Sequence, residues 1–176
     1  MKTLILNGSP RKQGDTAAML AALELPGEVV QIDTFWAKVS PCMDCRWCRT
    51  HEGCCIRDEM QEVYRLIGES DRIIIASPVW FETLPGPLLT LASRLQCYFS
   101  AGFFQKKPKL SGKKGAVILA AGGTGQGGSF RVATLLLRQM GVEGEIPLVI
   151  SPRTDDLPAA EDTAALEAIK NILKEP

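Results

Sequence analysis

Four short apolar runs punctuate the chain: Thr3–Leu6, Val29–Ile32, Arg72–Ala76 and Ala116–Ala121. A fifth, Ile146–Ile150, is weakened by Pro147, which cannot donate to a strand ladder. Continuous rather than alternating runs are what strands buried on both faces require. Between them lie segments with helical spacing. Asp15–Leu23 opens on an Asp/Thr cap and carries an Ala/Leu/Met face, and Asp58–Ile67 starts on acidic residues that suit a helix N-terminus. Pro87–Tyr98, Ser129–Met140 and Ala159–Leu173 follow, the last with Ala165, Leu166, Ile169, Ile172 and Leu173 on one face. Five alternations of strand and helix predict an α/β fold: a doubly wound, five-stranded parallel sheet with helices on both faces, a three-layer sandwich.

With 176 residues, the chain reads as a single domain over residues 1–176, and a core of that size needs no disulfide or metal to hold it together. One stretch lies outside the alternation, a Cys-rich insertion at residues 40–57, and loops of that length inside compact domains carry function or are disordered. Twenty Lys plus Arg balance twenty Asp plus Glu, so net charge gives no reason to expect a nucleic acid or an anionic membrane as partner. No apolar run approaches the ~20 residues of a membrane span, and Met1–Leu6 runs into polar Asn7 without the core of a secretion signal. The expected location is the cytoplasm, where six Cys read as metal ligands or redox groups rather than disulfides.

The first strand leads into Asn7-Gly8-Ser9-Pro10-Arg11-Lys12-Gln13-Gly14-Asp15-Thr16 and then a helix. Ligands of doubly wound sheets bind beyond the carboxyl ends of the strands. Free backbone N–H groups, the hydroxyls of Ser9 and Thr16 and the cationic fork of Arg11 suit a phosphate there. The spacing is neither that of a Walker loop nor Gly-x-Gly-x-x-Gly. It predicts a monophosphate cradle; the plainer reading is a polar turn with a helix cap.

Asn-Gly-Ser-Pro-Arg followed by Gly-Asp-Thr resembles the phosphate loop of the NADPH-dependent FMN reductase family, a flavodoxin-like group. After the third strand, Ser77-Pro78-Val79-Trp80-Phe81-Glu82-Thr83-Leu84-Pro85 is similar to that family's isoalloxazine-contacting loop. The resemblance runs from residue 3 to about residue 125. It implies a flavodoxin-like fold and an FMN cofactor, with Ser9, Arg11, Gly14, Asp15 and Thr16 at the phosphate and Pro78, Val79, Trp80 and Phe81 at the ring. Physically, Pro78 ends a strand, and Trp80 and Phe81 offer flat apolar surface to a tricycle, unless they are simply core.

Gly122-Gly123-Thr124-Gly125-Gln126-Gly127-Gly128-Ser129 lies between the fourth strand and a helix. Gly123, Gly125 and Gly128 satisfy Gly-x-Gly-x-x-Gly, but at the fourth strand too little chain remains for a dinucleotide-binding half. In a flavodoxin-like fold the loop lies beside those of the first and third strands, so Gly122, Gly123 and Thr124 are expected against the flavin. A flexible surface loop is the alternative.

Cys42-x2-Cys45-x2-Cys48-x5-Cys54 places four thiols on one short loop, with Cys55 adjacent. Zinc knuckles separate two pairs by a dozen or more residues, whereas an iron–sulfur cluster accepts four Cys from a compact loop. Residues 41–60 resemble the cysteine motif of the iron–sulfur flavoproteins, a branch of the same family. That resemblance implies a [4Fe–4S] cluster on Cys42, Cys45, Cys48 and Cys54 that exchanges electrons with FMN, leaving Cys55 spare and Cys97 as a small core residue. Zinc, or thiols without a metal, remain alternatives.

His51, the sole histidine, reads as an exposed bystander. Lys106, Lys107, Lys109, Lys113 and Lys114 read as a solvated basic run, with attraction of a nicotinamide 2′-phosphate or an acidic redox partner as the other reading. Trp36 and Trp47 flank the Cys loop and are expected to shield a cluster or form a subunit contact. The whole predicts an FMN-dependent oxidoreductase whose chemistry is on the flavin, with NAD(P)H or a ferredoxin-like protein as donor and a homodimer or homotetramer as assembly. A cluster-free NAD(P)H:FMN or quinone reductase is the runner-up, and a zinc-stabilised interaction module is the alternative from another class.

Overall fold

The computed structural model describes residues 1–172. Its elements in chain order are β1 (Lys2–Asn7), α1 (Asp15–Ala21), β2 (Glu28–Asp33), α2 (Met60–Glu69), β3 (Arg72–Pro78), α3 (Gly86–Ser93), α4 (Gln96–Phe104), β4 (Lys114–Ala120), α5 (Gln126–Gln139), β5 (Leu148–Ser151) and α6 (Thr163–Asn171). A single turn of 3₁₀ helix, Trp47–Arg49, interrupts the Cys-rich loop. The strands pair in parallel in the order β2-β1-β3-β4-β5, which is the flavodoxin-like arrangement.

The apolar runs explain the layers. Successive side chains of a strand point to opposite faces. Leu4, Leu6, Ile73, Ile75, Val117 and Leu119 therefore pack under α2, α3 and α5, through Val63, Ile67, Leu88, Leu91 and Leu137. Ile5, Ile74, Ala76, Ala116 and Ile118 face the other way, against Met19 of α1 and Ala165 and Ile169 of α6. Ile73, Ile74 and Ile75 are wholly buried, so the central strand has no polar face.

Several expectations need correction. Val29–Ile32 does form a strand, but at the sheet edge, and Val29 is exposed. The last strand starts at Leu148, after Pro147, whose carbonyl accepts from the Val117 amide. The helix expected over Pro87–Tyr98 is two helices, because Arg94 breaks it. Its carbonyl accepts the Tyr64 hydroxyl and its side chain turns into the interior. The first helix is capped by the Gly14 backbone rather than by an Asp/Thr side chain; the Asp15 carboxylate instead accepts the amide of Ala159. α2 begins at Met60, with Asp58 ahead of it accepting the Met60 amide. The C-terminal helix runs over Thr163–Asn171, and Leu173 lies outside the described residues. No helix among the described residues is long and apolar enough to cross a membrane.

Candidate cofactor cleft and cysteine hollow

The carboxyl ends of β1, β3 and β4 deliver three loops to one side of the sheet. β1 and β2 end on Asn7 and Asp33, and the Asn7 amide donates to the Asp33 carboxylate. The Asn7 side-chain oxygen accepts the Ser9 amide, and the Ser9 hydroxyl accepts the Arg11 amide. These two bonds shape the turn that ends in α1. Ser9 and Thr16 are buried; Arg11 is exposed and has no carboxylate within ion-pair distance among the described residues.

A cleft of about 570 Å³ opens over this turn, inside the ~300–1,000 Å³ range of cofactor sites. Ser9, Arg11, Asp15 and Thr16 line it from the first loop, Pro78, Val79, Trp80 and Phe81 from the loop after β3, and Gly122, Gly123 and Thr124 from the loop after β4. Of the residues expected at the cofactor, Gly14 alone is not on its wall. A Cβ there would lie 3.1 Å from the Arg11 side chain, so Gly14 leaves room for Arg11 to fold over the turn.

The glycine-rich loop gives part of its length to the cleft wall and part to a neighbouring loop. Gly123 has no neighbour where a Cβ would stand, so its backbone presents open space to the cleft. Gly125, at φ +88°, and Gly128 instead admit the chain at Glu82. A Cβ on Gly128 would lie 2.2 Å from the Glu82 carbonyl. The loop after β3 is held in place by this approach, with Phe81 and Glu82 both in the left-handed region. Phe81 is fully exposed, and Trp80 packs edge-on against Phe35 at 5.9 Å.

Sequence reasoning missed Glu82, Thr154 and Asp155, which also line the cleft. Asp155 packs so closely on Gly122 that a Cβ would meet its carboxylate at 2.3 Å. For Thr154 and Asp155 the only signal was positional, since the loop after β5 leaves the same sheet edge as the others, whereas Glu82 lay inside the segment already read as the ring-contacting loop.

An open glycine backbone at Gly123, half-exposed Trp80, and an Arg11 without a carboxylate partner among the described residues, beside two buried hydroxyls, fit an FMN-sized ligand.

A second feature lies at the Cys loop. Cys42, Cys45, Cys48, Cys54, Cys55 and Cys97 all line one small hollow, closed over to a free volume of about 30 Å³. None is in a disulfide. Cys55, expected to be spare, has its sulfur 3.4 Å from that of Cys45. The Trp47 amide holds the Cys45 thiol below its ordinary range, while the bond to Cys45 raises Cys55. Cys97 is buried as expected but also faces the hollow, and burial pushes its thiol up to about 11. Asp44 and Arg46 hold the left-handed conformation, which folds the loop back on itself. The donor set is soft sulfur, the chemistry an iron–sulfur cluster takes, although no three His, Cys, Asp or Glu side chains among the described residues converge on one point.

The loop is tied at both ends by Arg94, which donates to the carbonyls of Ser40 and Ile56. Gln105 of the α4 C-terminus donates to the carbonyls of Cys48 and His51. His51 is exposed and stacks on Trp47 at 3.6 Å. Trp47 lines the hollow; Trp36 does not, and stands over a different cavity beside the first turn. The basic run is not all solvated, because Lys113 is buried and donates to the carbonyls of Gly68 and Ser70.

Residues 1–148 match the family model described as NADPH-dependent FMN reductase. The chain belongs to that family of FMN-dependent oxidoreductases. An iron–sulfur flavoprotein of Methanosarcina thermophila is 31% identical over 99% of this chain and 92% of its own length. One from Archaeoglobus fulgidus is 35% identical over 72% of this chain, and the match spans 57% of that relative's length. Among solved structures, an azoreductase of Bacillus anthracis superposes with a TM-score of 0.71 at 19% identity, covering 96% of each chain. An NAD(P)H:quinone oxidoreductase of Methanothermobacter marburgensis gives 0.70 at 19% identity, covering 100% of this chain and 98% of its own. At these identities the structures share the fold.

Proposed function

We propose that the chain is an FMN-dependent oxidoreductase that also carries a [4Fe–4S] cluster in its Cys loop and moves electrons between a reduced donor, NAD(P)H or a ferredoxin-like protein, and an acceptor. The observation that carries this reading is the convergence of strand-end loops on one cleft, together with a hollow that six cysteine thiols line.

Bound FMN supplies hydride acceptance and single-electron release, and a cluster supplies one-electron transfer. The protein's own residues bind and orient. Arg11 and the hydroxyls of Ser9 and Thr16 hold the phosphate, where a guanidinium gives a charge-assisted bond that a neutral turn lacks. Pro78, Val79, Trp80 and Phe81 cover the ring and exclude water. Asp15 lines the cleft while tying α1 to Ala159, so its role there is to position the turn. Cys42, Cys45, Cys48 and Cys54 are the ligands carried by the family spacing. No side chain is required as a catalytic acid or base.

Unpaired thiols suit a reducing compartment such as the cytoplasm. A homodimer or homotetramer would bring Phe99, Phe103 and Phe104, exposed on α4 beside the Cys loop, under cover.

Anaerobically purified protein tests the reading by visible absorption together with iron and acid-labile sulfide analysis. Flavin bands with about four iron and four sulfide per chain support it. Flavin bands without iron reduce it to the cluster-free reductase. A colourless protein that takes up no added FMN overturns it.

A further inference from the structure

A second cavity, of about 380 Å³, lies on the other side of the first turn from the cofactor cleft. The two share Ser9, Pro10 and Arg11, so the turn is a common wall. Three kinds of group meet in the second cavity. Trp36 is an exposed indole with no aromatic ring against it among the described residues. Lys12 is a cation without an ion-pair partner among those residues. Asp33 closes β2, and among the described residues only one of its carboxylate oxygens is occupied by a side chain: Oδ1 accepts from Asn7 and Gln31, and neither bond uses Oδ2.

Each group answers one part of a nucleotide. An indole face stacks a purine, an acceptor oxygen takes a ribose diol, and cations take the phosphate. In dinucleotide-binding sheets an acidic residue beyond the first glycine turn takes the adenosine ribose, and Asp33 ends the second strand beside the first turn here, although that turn lacks the Gly-x-Gly-x-x-Gly spacing. We infer that this cavity is a subsite for an adenosine 5′-phosphate moiety, so that the cofactor cleft and the subsite together span a dinucleotide-sized ligand across the Ser9–Arg11 turn. The inference rests on the reading of the first cleft as the flavin site.

One chemistry has two sources here: the AMP half of FAD continuing from the flavin phosphate, or the adenosine half of a nicotinamide donor. Trp36, Lys12 and Asp33 serve either.

The test starts from FMN-loaded protein, so that the flavin phosphate site is filled, and loading is read from flavin absorbance before any titration. Failure to load would count against the flavin reading itself, independently of any result with adenosine nucleotides. Isothermal calorimetry of the loaded protein with adenosine 5′-monophosphate should show saturable binding. Trp36→Ala should weaken it by roughly tenfold or more with FMN content unchanged, and Lys12→Glu by a similar factor. Competition then separates the sources. Displacement of AMP by NADH or NADPH from the FMN-loaded protein assigns the subsite to the donor. FAD that replaces FMN and abolishes AMP binding assigns it to the flavin dinucleotide. Absence of AMP binding at millimolar concentration, or equal binding by the Trp36→Ala and Lys12→Glu variants, overturns the proposal.

Discussion

The Arg94 guanidinium lies 2.8 Å from the Asp58 carboxylate, and this pair joins the start and the end of the Cys loop. The same Asp58 oxygen accepts the Ser40 amide, while Arg94 holds the carbonyls of Ser40 and Ile56. Cys54 lies beside the same guanidinium. The Arg94 side chain is wholly buried, so it cannot exchange these partners for water. A loop whose only regular element is one 3₁₀ turn is thereby closed by a side chain from the α3–α4 break.

Removing one partner of a buried pair strands the other, at a cost of about 3–5 kcal/mol. Arg94→Met should therefore lower the unfolding midpoint in urea strongly and expose the Cys loop to proteolysis, while Arg94→Lys keeps the charge and loses the fork. An Arg94→Lys variant as stable and as protease-resistant as the wild type would show that the fork does not hold the loop. The pair also has a pH signature. Burial pushes the Asp58 carboxyl up, but Arg94 and the amides of Ser40 and Met60 outweigh it and hold the group below its ordinary 3.8. A depressed carboxyl contributes stability that is complete above the unfolded value and disappears as the pH falls through the folded one. The stability gap between wild type and Asp58→Asn should thus be full at neutral pH and close only below pH 3.8.

Within the basic run, Lys113 buries its ammonium against the carbonyls of Gly68 near the end of α2 and of the following Ser70. Lys113→Met leaves those carbonyls unpaired and should cost about 1–3 kcal/mol in chemical denaturation. Burial lowers the Lys113 value. Below it both states hold the proton; between the folded and unfolded values the unfolded chain binds more protons, so wild-type stability should rise with pH there. Lys113→Met should lack that alkaline rise.

Gly128→Ala places a methyl against the Glu82 carbonyl and forces the Trp80–Glu82 loop outward. Overpacking of this kind costs about 1–3 kcal/mol, and here it falls on the cleft wall. The variant should keep its far-ultraviolet circular dichroism and lose FMN affinity in a flavin fluorescence-quenching titration. Gly127→Ala, where a Cβ meets nothing, should bind FMN as the wild type does.

Arg11→Ala removes the one cation that lines the cleft among the described residues. Charge-assisted hydrogen bonds contribute about 1.5–3 kcal/mol, so FMN should bind roughly ten- to hundredfold more weakly. The dependence of affinity on salt should flatten as well, because the remaining phosphate contacts are neutral. Unchanged affinity would remove Arg11 from the phosphate site.

The layers were legible because burial on two faces leaves a local mark: short continuous runs rich in Ile and Val, such as Ile73–Ile75, alternating with helical patterns, read as strands between two helical layers. The cleft was legible for a related reason, since Ser9, Trp80 and Gly123 follow directly on strands that all end at one sheet edge. Arg94 was not legible. In sequence it is a polar residue in an apolar helix, and only Ser40, Ile56, Asp58 and Tyr64, 30 to 54 residues away, give it a purpose. Lys113 looked like its solvated neighbours for the same reason, and Cys55 looked redundant until the loop folded it against Cys45.

By itself the order of apolar runs determined five parallel strands, their flanking helices and the side of the sheet from which the functional loops emerge, because those properties are set by residues within a few positions of each other. The tertiary structure decided which strand lies at the edge, that Pro87–Tyr98 is cut in two, that Asp155 and Glu82 share the cleft, and that Trp36, Lys12 and Asp33 surround a second cavity. Those outcomes depend on which distant segments meet as the chain closes, and that is a property of the whole packed path rather than of any window along it.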